Sequence, residues 1–430
     1  MIADRELRRL GLAESSVRLF GPLVRAVLTT ALLVLIAAQS IVCWKIAETT
    51  WAVRRMADFG VFYESAGRAR AGGAPYALSS TPDGRPTRPP NLTPPHVVAA
   101  MVPLSLLPPA AALAVWCAAS VLSALIALAI VFREARIRVS ARSVLLTLAA
   151  IVCAAPTGAL IFSAQITWLL WWPATLAWAR ARHGRWTTAA VLLGALASVK
   201  LFLGLFAVVF LLHRRWRDAA VLIATAVVCL AAGWAVLGTD AVAGWVDALR
   251  AVSWAGHVWN GSVLGFVQRA LIGAPHSAWT LAPVAVAPAL VMPVWIILSG
   301  AILAIAARAM RQAPLTTAVA VDRVFALTLT TSVLLSPLGW VYYDFLLAAP
   351  FVALAAGPTW PTRGRIAALA FAAAALAATP GLLTAFQPDG VATITIGSLY
   401  FWSVVALWLA SVVAGDGPAH ARSVPVARVH

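Results

Sequence analysis

Residues Trp186–Leu212 read WTTAAVLLGALASVKLFLGLFAVVFLL, and their flanks decide the fold. Arg180, Arg182 and Arg185 precede the run; Arg214, Arg215 and Arg217 follow it. Arginine clusters beside apolar runs mark the cytoplasmic side of a membrane, so both ends of this run belong on that side. The run holds about 27 residues, whereas two full crossings need roughly 40. The pattern predicts a hairpin of two short helices with Lys200 near its tip. A single tilted helix with Lys200 snorkelling to the interface is the other arrangement it allows.

The same reading extends along the chain. Of its 430 residues 62% are hydrophobic and only 11% charged, more apolar surface than a soluble protein can hide. The expected fold is an all-α polytopic membrane bundle of about 12 transmembrane helices, a single integral-membrane domain. The N-terminal RELRRLGLAESSVRLF is basic and amphipathic, which places it in the cytoplasm. The first apolar run, about Leu23 to Cys43, lacks a small-residue cleavage site and reads as a retained helix. Residues 44–95 form a first extracytoplasmic loop, and HVVAAMVPLSLLPP is too short to span and reads as an interfacial or re-entrant helix.

Further helices are expected at about Pro109–Phe132, Val144–Ser163, Ile166–Ala179 and Ala219–Leu237. Residues 238–280 form a second extracytoplasmic loop, and a helix returns at about Pro283–Ala307. VFALTLTTSVLLSPLGWVYYDFLLAAPFVALAA repeats the hairpin logic, broken at SPLGWVYYD. Two spans follow, about Ile366–Leu383 and Leu399–Val413, and 415–430 is a flexible cytoplasmic tail. Both termini are thus expected inside the cell membrane. With these boundaries about two thirds of the 32 lysines and arginines fall on the cytoplasmic side, as the positive-inside rule requires.

The formal charge of +17 invites a nucleic-acid partner. The basic residues are instead spread as topology signals, and the expected partner is the lipid bilayer. Cys43, Cys117, Cys153 and Cys229 lie far apart in apolar runs, with neither metal spacing nor a disulfide framework.

Candidate chemistry gathers outside. MADFGVFYESAGRARAGGAPYAL, Met56 to Leu78, follows the first apolar run. Phe59, Phe62, Tyr63 and Ala66 follow helical spacing and form a face suited to the membrane surface. Asp58 precedes that face, either as an N-cap or as a functional carboxylate. Lys200 is one of only two lysines, and a lysine at membrane depth is costly enough to imply function. A lipid phosphate is its natural counterion, which Arg88 and Arg269 are suited to join bidentately; both also suit headgroup anchoring. Asp344 stands at the break of the second hairpin, able to pair with a cation, to act as a second acid or to make a polar contact within the bundle. Gln165, which equally suits a helix–helix hydrogen bond, Asn260 and His257 in HVWN are further polar candidates. No Asp-x-Asp motif occurs, so no metal or other cofactor is expected.

These motifs together resemble glycosyltransferase family 87. The resemblance rests on Asp58-Phe59 with the following aromatic run, Gly73-x-Pro75-Tyr76, Thr93 to Pro95, PLSLLP, SAQITWLL, ASVKLFLGLF, WNGSVLGFVQR and SPLGWVYY, in family order. It implies a GT-C fold enzyme that takes sugar from a polyprenyl-phosphate donor. Asp58 would then be general base on the acceptor hydroxyl, Gln165, Asn260, Asp344 and His257 would bind sugar or acceptor, and HVWN and WVYY would sit where a sugar ring stacks. The implied reaction transfers a sugar, mannose first, to a lipid- or glycan-linked acceptor on the extracytoplasmic face, with inversion. An arabinofuranosyltransferase of the same family is the alternative, and a transporter or lipid flippase is the alternative from another class. One departure matters: some relatives carry histidine where VYY stands, so Tyr342 and Tyr343 would have to meet the donor phosphate through hydroxyls.

Overall fold

A computed structural model describes residues 29–30, 33–34, 36–45, 47–48, 57–77, 89–273, 281–356, 363–377 and 389–412. The readings of the N-terminal segment, the start of the first helix, Arg88 and the tail 415–430 fall outside these residues. The described chain is helical, with no strand among its residues and one isolated bridge between Asn260 and Trp340.

Helix α1 covers Ala57–Arg70 and α2 covers Pro95–Met101, extended by a 3-10 turn over Val102–Leu106. The bundle follows: α3 (Pro109–Glu134), α4 (Ala141–Val152), α5 (Ala155–Ser163), α6 (Thr167–Arg182), α7 (Trp186–Val199), α8 (Phe206–Leu212) and α9 (Trp216–Arg250). Then come α10 (Val263–Leu271), α11 (Val291–Gln312), α12 (Ala318–Leu335), α13 (Ala348–Ala356), α14 (Arg363–Ala377) and, after a short turn at Val391–Ile394, α15 (Leu399–Val412). Among the described residues five helices are long and apolar enough to cross a membrane, or six if the bent pair α4–α5 is one span. The expected total of about 12 would need the shorter apolar helices and the first apolar run as well.

The first hairpin forms as the arginine flanks require. The Arg215 guanidinium stacks 4.9 Å over the Trp186 ring, and Thr187 donates to Asp218 at 2.9 Å. The chain therefore leaves and returns at one end. Its turn lies at Lys200, whose extended backbone (φ −131, ψ 94) separates α7 from a 3-10 segment over Leu201–Leu205. Gly194 makes the packing possible: a Cβ there would meet the Leu222 carbonyl oxygen of α9 at 2.4 Å. Small residues at such crossings let helices approach closely where lipid gives no hydrophobic drive.

Three sequence expectations change. The helix expected over Val144–Ser163 is two helices bent by 59°, because Pro156 starts a new helix at α5. Residues 238–250 are not loop: Gly238 takes φ 81, a conformation open to glycine, and the helix resumes through Arg250. The apolar face of α1 turns onto protein and not onto lipid. Phe59 and Phe62 are buried against Trp116 of α3, with ring centroids 5.8 and 6.0 Å away. Tyr63 donates to the Leu107 carbonyl at 2.7 Å. Burial on an indole fixes α1 in place, which a fluid lipid surface cannot do.

Helix α12 is the central post, with 72% of its apolar window buried, against 11% for α9 and for the helix ending at Gln312, which line the periphery. At the end of the bundle away from Asp58, α3, α6 and α12 are tied together. Arg182 lies 3.1 Å from Asp322 and 3.5 Å from Glu134, and donates to the Glu134 carbonyl at 2.6 Å. Trp178 donates to Asp322 at 2.8 Å, and Arg182 stacks on its ring. Removing one partner from a buried pair leaves an uncompensated charge, at about 3–5 kcal/mol. Asp322→Ala is therefore expected to lower the melting midpoint in detergent clearly, and Asp322→Asn, which keeps an acceptor for Trp178, to lower it less. Thermal unfolding followed by tryptophan fluorescence measures both.

Candidate active site

Three interruptions of the helices meet at one cavity of about 910 Å³. The first is Ala164, in the left-handed region (φ 49, ψ 48), which ends α5 and turns Gln165 toward α1. A non-glycine residue there is strained by about 1–2 kcal/mol, offset by Trp116 of α3, whose indole N–H donates to the Ala164 carbonyl at 2.9 Å. The second is the hairpin tip at Lys200. The third is 336–340, where α12 gives way to a 3-10 turn over Val341–Leu347. Asp58, Gln165, Lys200, His257, Tyr342 and Tyr343 all line this cavity.

Asp58 stands in the first turn of α1, where the helix dipole favours negative charge. The Gln165 amide donates to its Oδ2 at 2.7 Å. The same side chain accepts from the Ile166 N–H at 3.1 Å, which fixes the orientation of the amide. Burial pushes the Asp58 carboxyl above the ordinary carboxylate range. The Gln165 hydrogen bond, the Lys200 charge and a Ser163 hydrogen bond pull it back without cancelling the rise.

The Lys200 ammonium sits 5.3 Å over the Tyr343 ring, a cation–π contact. Among ion pairs between described residues none includes Lys200; its charge acts on the Asp58 carboxylate without a salt-bridge contact. Tyr343 packs on Phe202 of the first hairpin (4.9 Å) and on Tyr342 (5.0 Å). Tyr342 in turn lies within hydrogen-bond reach of Gln165 and within electrostatic reach of Asp58. Carboxylate, amide, ammonium and phenols thus form one connected group.

His257 is held differently from a phosphate-binding cation. Burial and the neighbouring Arg269 charge push its imidazole down to about 4, so it is neutral at pH 7. Its Nδ1 accepts from the Trp259 N–H at 3.1 Å, which leaves the ring proton on Nε2. A neutral N–H suits a hydroxyl or ring oxygen.

Asn260, Arg269 and Asp344 are not among the residues that line the cavity. Asn260 is fully buried and ties the second loop to the second hairpin. Its amide donates to the carbonyls of Ala255 and Pro337, and its oxygen accepts from Ser262 N–H and Gly339 N–H. Arg269, also fully buried, donates to Ser398 and to the carbonyls of His257 and Asn260. In place of the phosphate contact expected of it, the guanidinium pins the loop that carries His257. Asp344 is buried in the 3-10 turn, and neither carboxylate oxygen has a hydrogen-bond partner among the described residues. In place of the sugar contact expected of it, it faces the bundle, within electrostatic reach of Tyr400.

The sequence reading missed Ser163, although it belongs to the quoted SAQITWLL. It also missed Phe162, Trp245 and Trp254, which line the cavity. Trp245 lies on the helical continuation beyond Gly238, a segment read as loop. Among the described residues no group of three or more His, Cys, Asp or Glu is placed to hold a metal.

The family described as glycosyltransferase family 87 matches residues 91–337, more than half of the chain. The match includes Gln165, Lys200 and His257 and stops short of Asp58 on one side and Tyr342 on the other. Curated proteins and solved structures yield no match.

The roles found for Asn260 make a test. Asn260→Ala orphans two buried N–H groups and the Ala255 carbonyl and leaves the Pro337 carbonyl only the Ser262 hydroxyl, each unpaired group costing about 1–3 kcal/mol. The variant is expected to melt far below wild type or to fail to accumulate, as read by fluorescence-detected size exclusion. Gln165→Ala, which orphans no backbone group beyond the Ile166 N–H, is expected to stay folded.

Proposed function

The chain belongs to glycosyltransferase family 87, and from that premise we propose that it transfers a sugar from a polyprenyl-phosphate donor to a lipid- or glycan-linked acceptor. The observation that carries the reading is the convergence of Asp58, Gln165, Lys200, Tyr342 and Tyr343 on one cavity. The acceptor oxygen bonds to the anomeric carbon while the bond from that carbon to the phosphate oxygen breaks. Asp58 takes the acceptor proton, and the electron pair leaves with the phosphate. A phosphate leaving group needs no strong acid when its charge is stabilised. Lys200 supplies that charge, and the Tyr342 and Tyr343 hydroxyls supply hydrogen bonds where some relatives carry histidine. Gln165 holds the Asp58 carboxylate so that one oxygen stays directed at the acceptor.

Attack opposite the phosphate inverts the anomeric centre, so a β-linked donor gives an α-linked product. Mannose is the first sugar to try. Arabinofuranose on the same lipid is the second reading. The positive-inside pattern supports an extracytoplasmic site in the cell membrane, with both termini cytoplasmic. Family membership gives no support to a transporter or flippase.

Transfer from radiolabelled polyprenyl-phosphomannose to a crude lipid acceptor extract tests the reading. Asp58→Asn is expected to lose at least about 100-fold in rate while donor binding survives, and activity near wild type would remove Asp58 from the mechanism. The pH dependence has a definite sign. The base acts when deprotonated and its pKa is raised, so the acid limb should lie above the ordinary aspartate value of about 4. Gln165→Leu and Lys200→Met each remove an influence that lowers this pKa, so both should move the limb to still higher pH.

A further inference from the structure

His96 is not among the residues that line the cavity, yet its side chain reaches the hairpin that carries Lys200. It is the second residue of α2, and its backbone nestles against Gly233 of α9, where a Cβ would meet the His96 nitrogen at 2.3 Å. From there the imidazole Nε2 lies 3.1 Å from the Ser198 hydroxyl, in the last turn of α7 and two residues before Lys200. Ser198 donates its own proton to the Ala195 carbonyl at 2.7 Å, so the Nε2–H is the donor to Ser198. Nδ1 is buried with no partner among the described residues, so the ring is held by this one bond. Burial pushes the imidazole below its ordinary value, so it is neutral at pH 7 and brings no charge of its own.

Helices α1 and α2 are joined into one unit. The Asn91 amide donates to Ser65 of α1 at 2.9 Å, and its oxygen accepts from the Thr93 N–H at 2.9 Å and hydroxyl at 2.6 Å. Tyr76 donates to the Thr93 carbonyl at 2.7 Å. Pro94 and Pro95 then fix the backbone as it enters α2. Val97 and Met101 join Phe59 and Phe62 of α1 in one buried cluster. Asp58, in the first turn of α1, and His96 are therefore set on the same support.

Lys200 belongs to a different element. It sits where α7 ends, beside Leu201, which is 56% exposed. A helix end frays unless something holds it. The Tyr343 ring holds the Lys200 ammonium, while the His96–Ser198 hydrogen bond holds the backbone beside it to the first loop. Of the other titratable groups that line the cavity, Lys200, His257, Tyr342 and Tyr343, it is Lys200 whose charge draws the Asp58 carboxyl down. The separation of these two groups thus depends on how the hairpin tip docks on the α1–α2 unit.

Resting on the reading above, we propose that His96 is a positioning residue: by bonding Ser198 it sets the separation of the Lys200 ammonium from the Asp58 carboxylate, and so the place of a donor phosphate relative to the base. A neutral donor suits this role, because a second cation close to Lys200 would repel it.

Asp58 itself reports the separation, with no substrate present. N,N′-dicyclohexylcarbodiimide reacts with a protonated carboxyl. Labelling of Asp58 against pH, read by peptide mass spectrometry on protein in nanodiscs, therefore gives the midpoint of its titration. A more distant Lys200 lowers the Asp58 pKa less, so His96→Ala and Ser198→Ala should each move the midpoint to higher pH, by less than Lys200→Met does. His96→Gln, which can keep an N–H toward Ser198, should stay closer to wild type. In a Lys200→Met background His96→Ala should add no further shift. In the transfer assay His96→Ala should raise the donor KM by about three- to tenfold, with a smaller change in the acceptor KM. A wild-type midpoint in folded His96→Ala or Ser198→Ala, or a shift of full size in the Lys200→Met background, overturns the proposal. Shifted midpoints without turnover of any polyprenyl-phosphate sugar would instead overturn the transfer reaction and leave the positioning role standing.

Discussion

A bilayer permits broken backbone only where protein or a water-filled cavity satisfies the exposed N–H and C=O groups. This constraint organises the whole molecule. The helices are interrupted at Ala164, at Lys200 and at 336–340, and all three interruptions open on the same cavity. Each break brings functional groups with it: Ser163 and Gln165, then Lys200, then Trp340, Tyr342 and Tyr343. The kink at Gly238 and the bend between α4 and α5 do not line the cavity, so these three breaks are the ones that gather the candidate groups. Long apolar helices such as α9 enclose the bundle, and α12 runs from the Arg182–Asp322–Glu134 tie to the cavity floor.

Two kinds of polar group are thereby kept apart. Asn260 bonds loop backbone, and Arg269 bonds loop carbonyls and Ser398 through Nη1 and Nε, fixing the position of His257 and of the second hairpin. Lys200 makes no salt bridge among the described residues, and its ammonium rests on an aromatic face while its charge acts on Asp58 from beyond contact. A cation held by a ring and not by an acid can still be attracted to a phosphate. Asp58 shows the matching arrangement: a carboxylate partly desolvated, held by one amide, and within reach of a positive charge. This is how a carboxylate can be poised as a base without a salt bridge that would neutralise it.

Much of this was legible from the order of residues. Arginine flanks around Trp186–Leu212 required both ends of the run on one side, and the hairpin followed from length alone. A lone lysine in that run pointed to its tip. Asp58 was singled out by its place after the first span, and it lines the cavity. Other features were not legible, for physical reasons. Whether Arg269 faces a ligand or a carbonyl depends on the tertiary position of 257–260, which local spacing does not encode. The face of Phe59, Phe62 and Tyr63 is equally suited to lipid and to protein; the position of Trp116 on another helix decides. The ring contacts that join Phe202, Tyr343, Tyr342, Trp340, His257 and Trp259 link segments up to about 140 residues apart, so no stretch of sequence displays them.

The most direct measurement is a structure of the protein with a bound polyprenyl phosphate, obtained by electron cryomicroscopy in nanodiscs. The account predicts phosphate density against the Lys200 ammonium and the Tyr343 hydroxyl, with the carboxylate of Asp58 facing the side of the phosphate where a sugar would be attached. Phosphate density away from Lys200, or a ligand that leaves this cavity empty, would contradict it.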